Sequence, residues 1–174
     1  MNNEEQYPEC EYVMLMGLAG SGKSTLAKKL LAEKDYEYIC LDEFRVKHFG
    51  DYIMNKDSTE MFSEIRKLEK ECVQKGKSIL YDAVNISNIR RKNQIQIIKK
   101  HNPNVKFKLI YLIRDVETSI KQNNLRKGMK KLPKNVIRHQ RSELKKPHYR
   151  EGWDKIYYEK GDGILHLMEY KNRQ

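Results

Sequence analysis

The stretch Gly17–Thr25 reads GLAGSGKST and fits the pattern G-x-x-x-x-G-K-[ST], with Gly17, Gly22, Lys23 and Ser24 at its fixed positions. Glycines let such a loop turn so that successive N–H groups point inward at phosphate oxygens. The loop residues Ala19, Gly20, Ser21 and Thr25 complete that cradle. Lys23 would reach the outer phosphates, and the Ser24 hydroxyl would coordinate Mg²⁺. The helix that begins near Lys23 adds its N-terminal partial positive charge. The chemistry this implies is binding of a nucleotide by its phosphates. With no guanine-specific N-K-x-D in the chain, ATP is the default donor.

Phosphoryl transfer further needs an orienting base for the attacking hydroxyl and cations around the transferring group. Asp42 is the best placed candidate base, with Glu43 as neighbouring competitor and a helix-capping role as the alternative. Arg45, three residues on, shares a side with Asp42 if that segment is helical, and it either holds an anionic acceptor group or is a surface arginine. Asp82 is a candidate for facing Mg²⁺ or for anchoring a lid arginine. Asn85 either fixes an acceptor loop or caps the next helix. Arg90 and Arg91 fit a solvated helix face as well as a substrate contact. Arg126, Lys127, Lys130 and Lys131 surround Gly128 in a segment suited to closing over phosphates, with Arg126 the candidate lid arginine.

These residues need a scaffold, and the hydrophobic pattern supplies one. "EYVMLM" (Glu11–Met16) reads as a strand before the loop, and "STLAKKLLAEK" (Ser24–Lys34) reads as a helix after it. Further strands are expected at Tyr36–Leu41, in "KSILYDAVN" ending at Asp82, and at Val105–Ile113. Helices are expected at Ser58–Gly76 with a Ser cap, over "NISNIRRKNQIQIIKKHNP", from Asp115 up to Gly128, and after Pro133. "DKIYYEKG" and "ILHLMEY" read as late, short strands. Strand–helix alternation predicts an α/β fold: a mostly parallel five-stranded sheet flanked by helices, with a helical basic lid at about residues 121–135. Ligands of such sheets sit at the carboxyl ends of the strands, which draws attention to Gly17–Thr25, Asp42–Arg45, Asp82–Asn85 and Arg114–Asp115.

The chain of 174 residues is expected to form one domain from residue 11 onward, preceded by a flexible polar N-terminus of ten residues. No internal repeat or low-complexity linker interrupts it. Its net charge of +11 is uneven. Between Lys121 and Arg150 stand eleven Lys/Arg against one acid, Glu143, a net of +10 that attracts polyanions unless it is simply a solvated basic helix. Cys10, Cys40 and Cys72 are an odd count without C-x-x-C or zinc spacing, so reduced thiols in a cytoplasmic protein are expected. The longest apolar run is too short to span a membrane, and no signal peptide is read.

The chain resembles the kinase domain of the bacteriophage and bacterial polynucleotide 5′-hydroxyl kinases over roughly Tyr12–Tyr158. "GLAGSGKST" is shared by many kinases. "LDEFR" is similar to the family's Asp-acid-aromatic-Arg segment, which implies Asp42 as general base and Arg45 as a contact to the acceptor's 3′-phosphate. "YDAVNISNIRRK" resembles its D-A-T-N…R-R segment and implies Asp82, Asn85 and Arg91 in corresponding acceptor positions. "QNNLRKGMKKLPKNVIRHQ" resembles its lid, and "EGWDKIYY" the stretch before the last strand. Val84 stands in place of the usual Thr and Gln122 in place of the first lid Arg, and one extra residue separates Arg126 from Gly128. Lys127 lacks the forked geometry of a guanidinium.

The leading expectation is therefore ATP- and Mg²⁺-dependent phosphorylation of 5′-hydroxyl RNA or DNA ends, with Tyr52, His148, Tyr149 and Trp153 as candidates for base stacking. Separate ligase or phosphatase partners would complete a repair system, since neither module is read in this chain. Two other readings stay open: a small-molecule, antibiotic or nucleotide-sugar kinase of the same fold, and a non-catalytic nucleic-acid module switched by nucleotide.

Overall fold

The computed structural model describes residues 7–50 and 58–169. Five parallel strands form the sheet: β1 (Glu11–Met16), β2 (Glu37–Cys40), β3 (Ile79–Asp82), β4 (Lys106–Leu112) and β5 (Lys155–Glu159). A sixth strand, β6 (His166–Leu167), pairs antiparallel with β5, so the order is β2-β3-β1-β4-β5-β6. The expected five-stranded parallel sheet is present, and the short strand read in "ILHLMEY" joins its edge as the two-residue β6.

Between the strands run helices α1 (Lys23–Glu33), α2 (Leu41–Phe49), α3 (Thr59–Gln74), α4 (Asn88–His101), α5 (Val116–Asn124) and α6 (Lys134–Glu143). Alternation along β1 splits the core. Tyr12, Met14 and Met16 face Met61, Ile65 and Val73 of α3 and Ile95 and Ile98 of α4. Val13 and Leu15 face Ala27 of α1. A third cluster joins Leu18 and Ala19 of the phosphate loop to Ile120 of α5 and Ile137 of α6. Buried Glu69 links three elements, accepting from Tyr12 Oη of β1 at 2.7 Å, Arg66 at 3.2 Å and Gln94 Nε2 of α4.

Element ends depart from the sequence reading where side chains compete for the backbone. Strand two stops at Cys40 because Leu41 already opens α2. Ser58 occupies the N-cap of α3 but its side chain makes no capping bond. Ser87, not Asn85, caps α4 by accepting from Arg90 N. Helix α5 ends at Asn124, short of Gly128. There buried Asn123 donates to Leu132 O at 2.8 Å and accepts from Leu132 N at 3.0 Å, cinching the base of the basic segment around Gly128. Tyr52 lies outside the described residues.

Candidate active site

The phosphate loop is a tight bend from β1 into α1. Gly20 and Gly22 have φ of +84° and +99°, a region that glycine enters without strain. A Cβ at Gly20 would stand 2.2 Å from Ser119 O of α5, so only glycine lets the loop lie against that helix. Gly17 N donates to Val84 O at 3.1 Å, and Ala19 N donates to Gln140 Oε1 of α6 at 2.9 Å. The loop is thereby held from both sides, by the segment after β3 and by the helix after the lid. Ser24 and Thr25, on the first turn of α1, are exposed.

Lys23 is buried, and its Nζ donates to Gly17 O at 2.9 Å and Leu18 O at 2.8 Å. Burial pushes its ammonium down to about 8, against the pull of Asp82, while the positive charge of Arg126 adds to the fall and Asp42 opposes it. Lys23, Asp82, Asp42 and Arg126 thus share one electrostatic neighbourhood. Asp82 is buried at the carboxyl end of β3 and accepts from Tyr38 Oη at 2.9 Å. Burial raises its carboxyl above the usual carboxylate range, opposed by Lys23 and by the Tyr38 and Ser24 hydroxyls, with Asp42 reinforcing the rise.

The Lys23 shift carries a sign. Between pH 8 and the ordinary lysine range the unfolded chain holds more protons, so stability of the free protein rises with pH there. Phosphates favour the charged ammonium, so nucleotide binding takes up a proton above pH 8. ATP affinity is therefore expected to be flat below that value and to fall by about tenfold per pH unit above it. Calorimetry in buffers of different ionisation heat reads both quantities; an affinity constant through pH 9 with no proton uptake contradicts the assignment.

Asp42 sits on the first turn of α2 with its side chain 53% exposed, and Arg45 Nη1 bonds its Oδ1 at 2.6 Å. The expected i, i+3 pairing holds because the segment is helical. Arg45 Nε is buried without a partner among the described residues. Glu43 is exposed on the same turn.

Other sequence candidates turn inward. Asn85, at φ +50°, donates from Nδ2 to Leu15 O of β1 at 2.7 Å, which fixes the loop after β3. Arg91 is wholly buried and forks onto Glu151 through Nε at 2.8 Å and Nη2 at 2.6 Å. Its other hydrogens go to Asn85 O, Lys145 O and Met16 Sδ. The structure therefore places Arg91 in the scaffold rather than in the open cleft. Arg114 pairs with Glu159, and Asp115 caps α5 by accepting from Thr118 N at 2.7 Å, so this strand end is structural. Trp153 is buried on Glu151 and Tyr149 Oη donates to Met168 O, which leaves exposed His148 of the described stacking candidates. Tyr38, which orients Asp82, carries no motif, and its place on the strand before Asp42 was its one signal; Gln140, which holds the loop, ends the lid-like stretch QNNLRKGMKKLPKNVIRHQ without being singled out there.

Magnesium favours a few oxygen ligands and keeps several waters. Ser24 and Asp82 are neighbouring oxygen donors that would suit such an ion, and no cluster of three or more His, Cys, Asp or Glu suited to a metal occurs among the described residues. The three cysteines are free and buried. No described helix is long and apolar enough to cross a membrane.

A phosphate loop between the first strand and helix of a parallel sheet, with carboxylates at the next two strand ends, defines the phosphate-loop kinase fold. The chain belongs to the AAA domain family (AAA_33), whose model matches residues 13–147. Solved structures agree on the fold. A chain of the Pnkp1/Rnl/Hen1 RNA repair complex is 22% identical with a TM-score of 0.69, over 82% of this chain and 46% of that one. A sugar kinase from Janibacter sp. HTCC2649 is 19% identical (TM-score 0.61, 86% and 85% covered), and a fungal RNA kinase is 14% identical (TM-score 0.59, 88% and 75% covered). The chain spans less than half the length of the Pnkp1/Rnl/Hen1 chains it resembles, 40% and 46%. No curated protein matches it closely enough to count as a relative.

Proposed function

We propose that the protein transfers the γ-phosphate of ATP to the 5′-hydroxyl end of an RNA or DNA strand. The observation that carries this reading is the Asp42–Arg45 pair, set at the same strand ends as Lys23 and Asp82. Arg45 holds one oxygen of Asp42 and leaves the other to accept the proton of an incoming hydroxyl. As that proton leaves, the hydroxyl oxygen bonds to the γ-phosphorus and the bond to the ADP oxygen breaks. Lys23, the loop N–H groups and Arg126 stabilise the charge on the phosphates. Ser24 and Asp82 would hold Mg²⁺, which when bound neutralises phosphate oxygens. The unpartnered Arg45 Nε is a donor that a phosphate on the acceptor would satisfy.

The named RNA kinase and RNA repair structures support a polynucleotide acceptor, as does the basic lid. By the same extension, separate ligase or phosphatase partners would act beside it, and the free, unpaired cysteines support a cytoplasmic location. The sugar kinase, matched over most of both chains, favours a small-molecule acceptor as the second reading. Incubation with Mg²⁺, γ-labelled ATP and a panel of 5′-hydroxyl RNA, 5′-hydroxyl DNA, nucleoside 3′-monophosphates and sugars separates the readings. Label on oligonucleotides is expected. Label on sugars alone selects the second reading, and ATP binding without any transfer selects a nucleotide-switched binding module.

A further inference from the structure

Helix α6 has two faces of opposite character. Its inner face is bolted to the phosphate loop, with Ile137 packed on Leu18 and Ala19 and Gln140 accepting the Ala19 N–H at 2.9 Å. Its outer face carries Lys134, Arg138 and Arg141 at i, i+4 and i+7, all exposed and aligned along about 10 Å of helix. The chain then leaves the helix in an extended conformation, and the row of charge continues through exposed Lys145, Lys146 and Arg150. This second part is fixed in place. Lys145 N donates to Ile86 O at 3.0 Å and Lys145 O accepts from Arg91 Nη2 at 3.1 Å. The row therefore runs from the lid side of the loop to the segment just after Asp82, where the acceptor would lie.

Solvated protein surfaces normally mix both signs of charge. Here Glu143 is the one acid between residues 121 and 150. Among the described residues only Arg138 of these six shows an ion pair, a 3.5 Å contact to Glu117 with both side chains exposed, which contributes little. Six exposed cations of one sign, three on a helix bonded to the phosphate loop and Lys145 bonded to the segment after Asp82, match the spaced charges of a phosphodiester backbone.

We propose that the outer face of α6 and the segment following it form a distal binding surface for the body of the single-stranded nucleic acid whose 5′ end enters the cleft. This rests on the polynucleotide reading above. It adds that recognition extends past the terminal nucleotide, so that longer strands bind better. Contacts of this kind are blind to sequence and sensitive to salt.

The test compares Arg138→Ala/Arg141→Ala with a matched control, Lys28→Ala/Lys29→Ala, which removes two exposed cations of α1. Binding of a fluorescent strand of about twenty nucleotides is followed across salt concentration, once with a 5′-hydroxyl and once with a 5′-phosphate. Each lost phosphate contact lowers the slope of log K against log salt by about 0.7, so the α6 pair is expected to lose about 1.4 and the control nothing. The kcat/KM preference for that strand over a nucleoside 3′-monophosphate is expected to fall by about tenfold in the α6 pair. An unchanged slope in the α6 pair, or an equal loss in the control, overturns the proposal. Strand binding needs no transfer, so the two readings fail separately. A changed slope without any kinase activity keeps the surface and removes the polynucleotide-kinase reading. Transfer with unaltered slope and preference does the reverse.

Discussion

On the proposed reading, replacing Asp42 by asparagine is expected to lower phosphoryl transfer to a 5′-hydroxyl strand by about two to four orders of magnitude and to leave ATP binding intact. The substitution keeps the size and the carbonyl oxygen that Arg45 Nη1 contacts at 2.6 Å, but removes the charge that accepts a proton. Folding should barely notice, since the Asp42 carboxylate is 53% exposed, and ion pairs at such surface positions contribute at most about 1 kcal/mol. On the same reading, ATP affinity rests on the loop N–H groups and Lys23. Asp42 acts on Lys23 more weakly than burial, Asp82 or Arg126 do. Single-turnover transfer with labelled ATP, alongside nucleotide titration and thermal melting, gives the three readouts. Near-normal transfer by the variant moves the base to another group, and Glu43 on the same turn is the first to examine through Glu43→Gln.

The parts that were legible in the sequence are those whose physics is local. A G-x-x-x-x-G-K-S run between an apolar strand and a helix specifies its own geometry, and β1 is found at the expected Glu11–Met16. The rule that ligands gather at strand ends located Asp42 and Asp82, because strand polarity alone determines where those residues emerge. It over-reached at Arg114 and Asp115. The D-V-E-T spacing there is a helix cap in which Asp115 accepts from both the Thr118 amide and hydroxyl, and a cap satisfies its carboxylate locally. Arg91 departs from a solvated helix face for another reason. Position 91 continues the stripe of Ile95 and Ile98 on α4, four and seven residues on, and that stripe faces the core. Charge made it read as surface, whereas its partner, Glu151, lies sixty residues away and is brought to it only by tertiary structure. The roles of Gln140 and Tyr38 were not read on the same ground, since each acts through a contact distant in sequence.

Breaking the Arg91–Glu151 pair carries the other large effect. Arg91 places all five of its hydrogens on protein groups, spread over β1, the loop after β3, the segment after α6 and Glu151. Glu151 in turn accepts from Trp153 Nε1 at 2.9 Å. Removing one member leaves the other as an uncompensated buried charge, at a cost of about 3–5 kcal/mol. For a chain of this size that corresponds to a drop in melting temperature of roughly 6–20 °C for Arg91→Ala. Glu151→Gln is the sharper variant because it removes charge while keeping shape, and because Glu151 makes no contact with the Asp42–Asp82 region in its hydrogen bonds. A scaffold role for Arg91 requires that Glu151→Gln lower the melting temperature by several degrees, with kcat/KM for the acceptor reduced far less than in Asp42→Asn. The family resemblance, which would set Arg91 against the acceptor, requires the converse: a raised acceptor KM in Arg91→Ala and a melting temperature that hardly moves. The five satisfied hydrogens favour the scaffold, since an arginine with none to spare must surrender protein contacts before it can bind a phosphate.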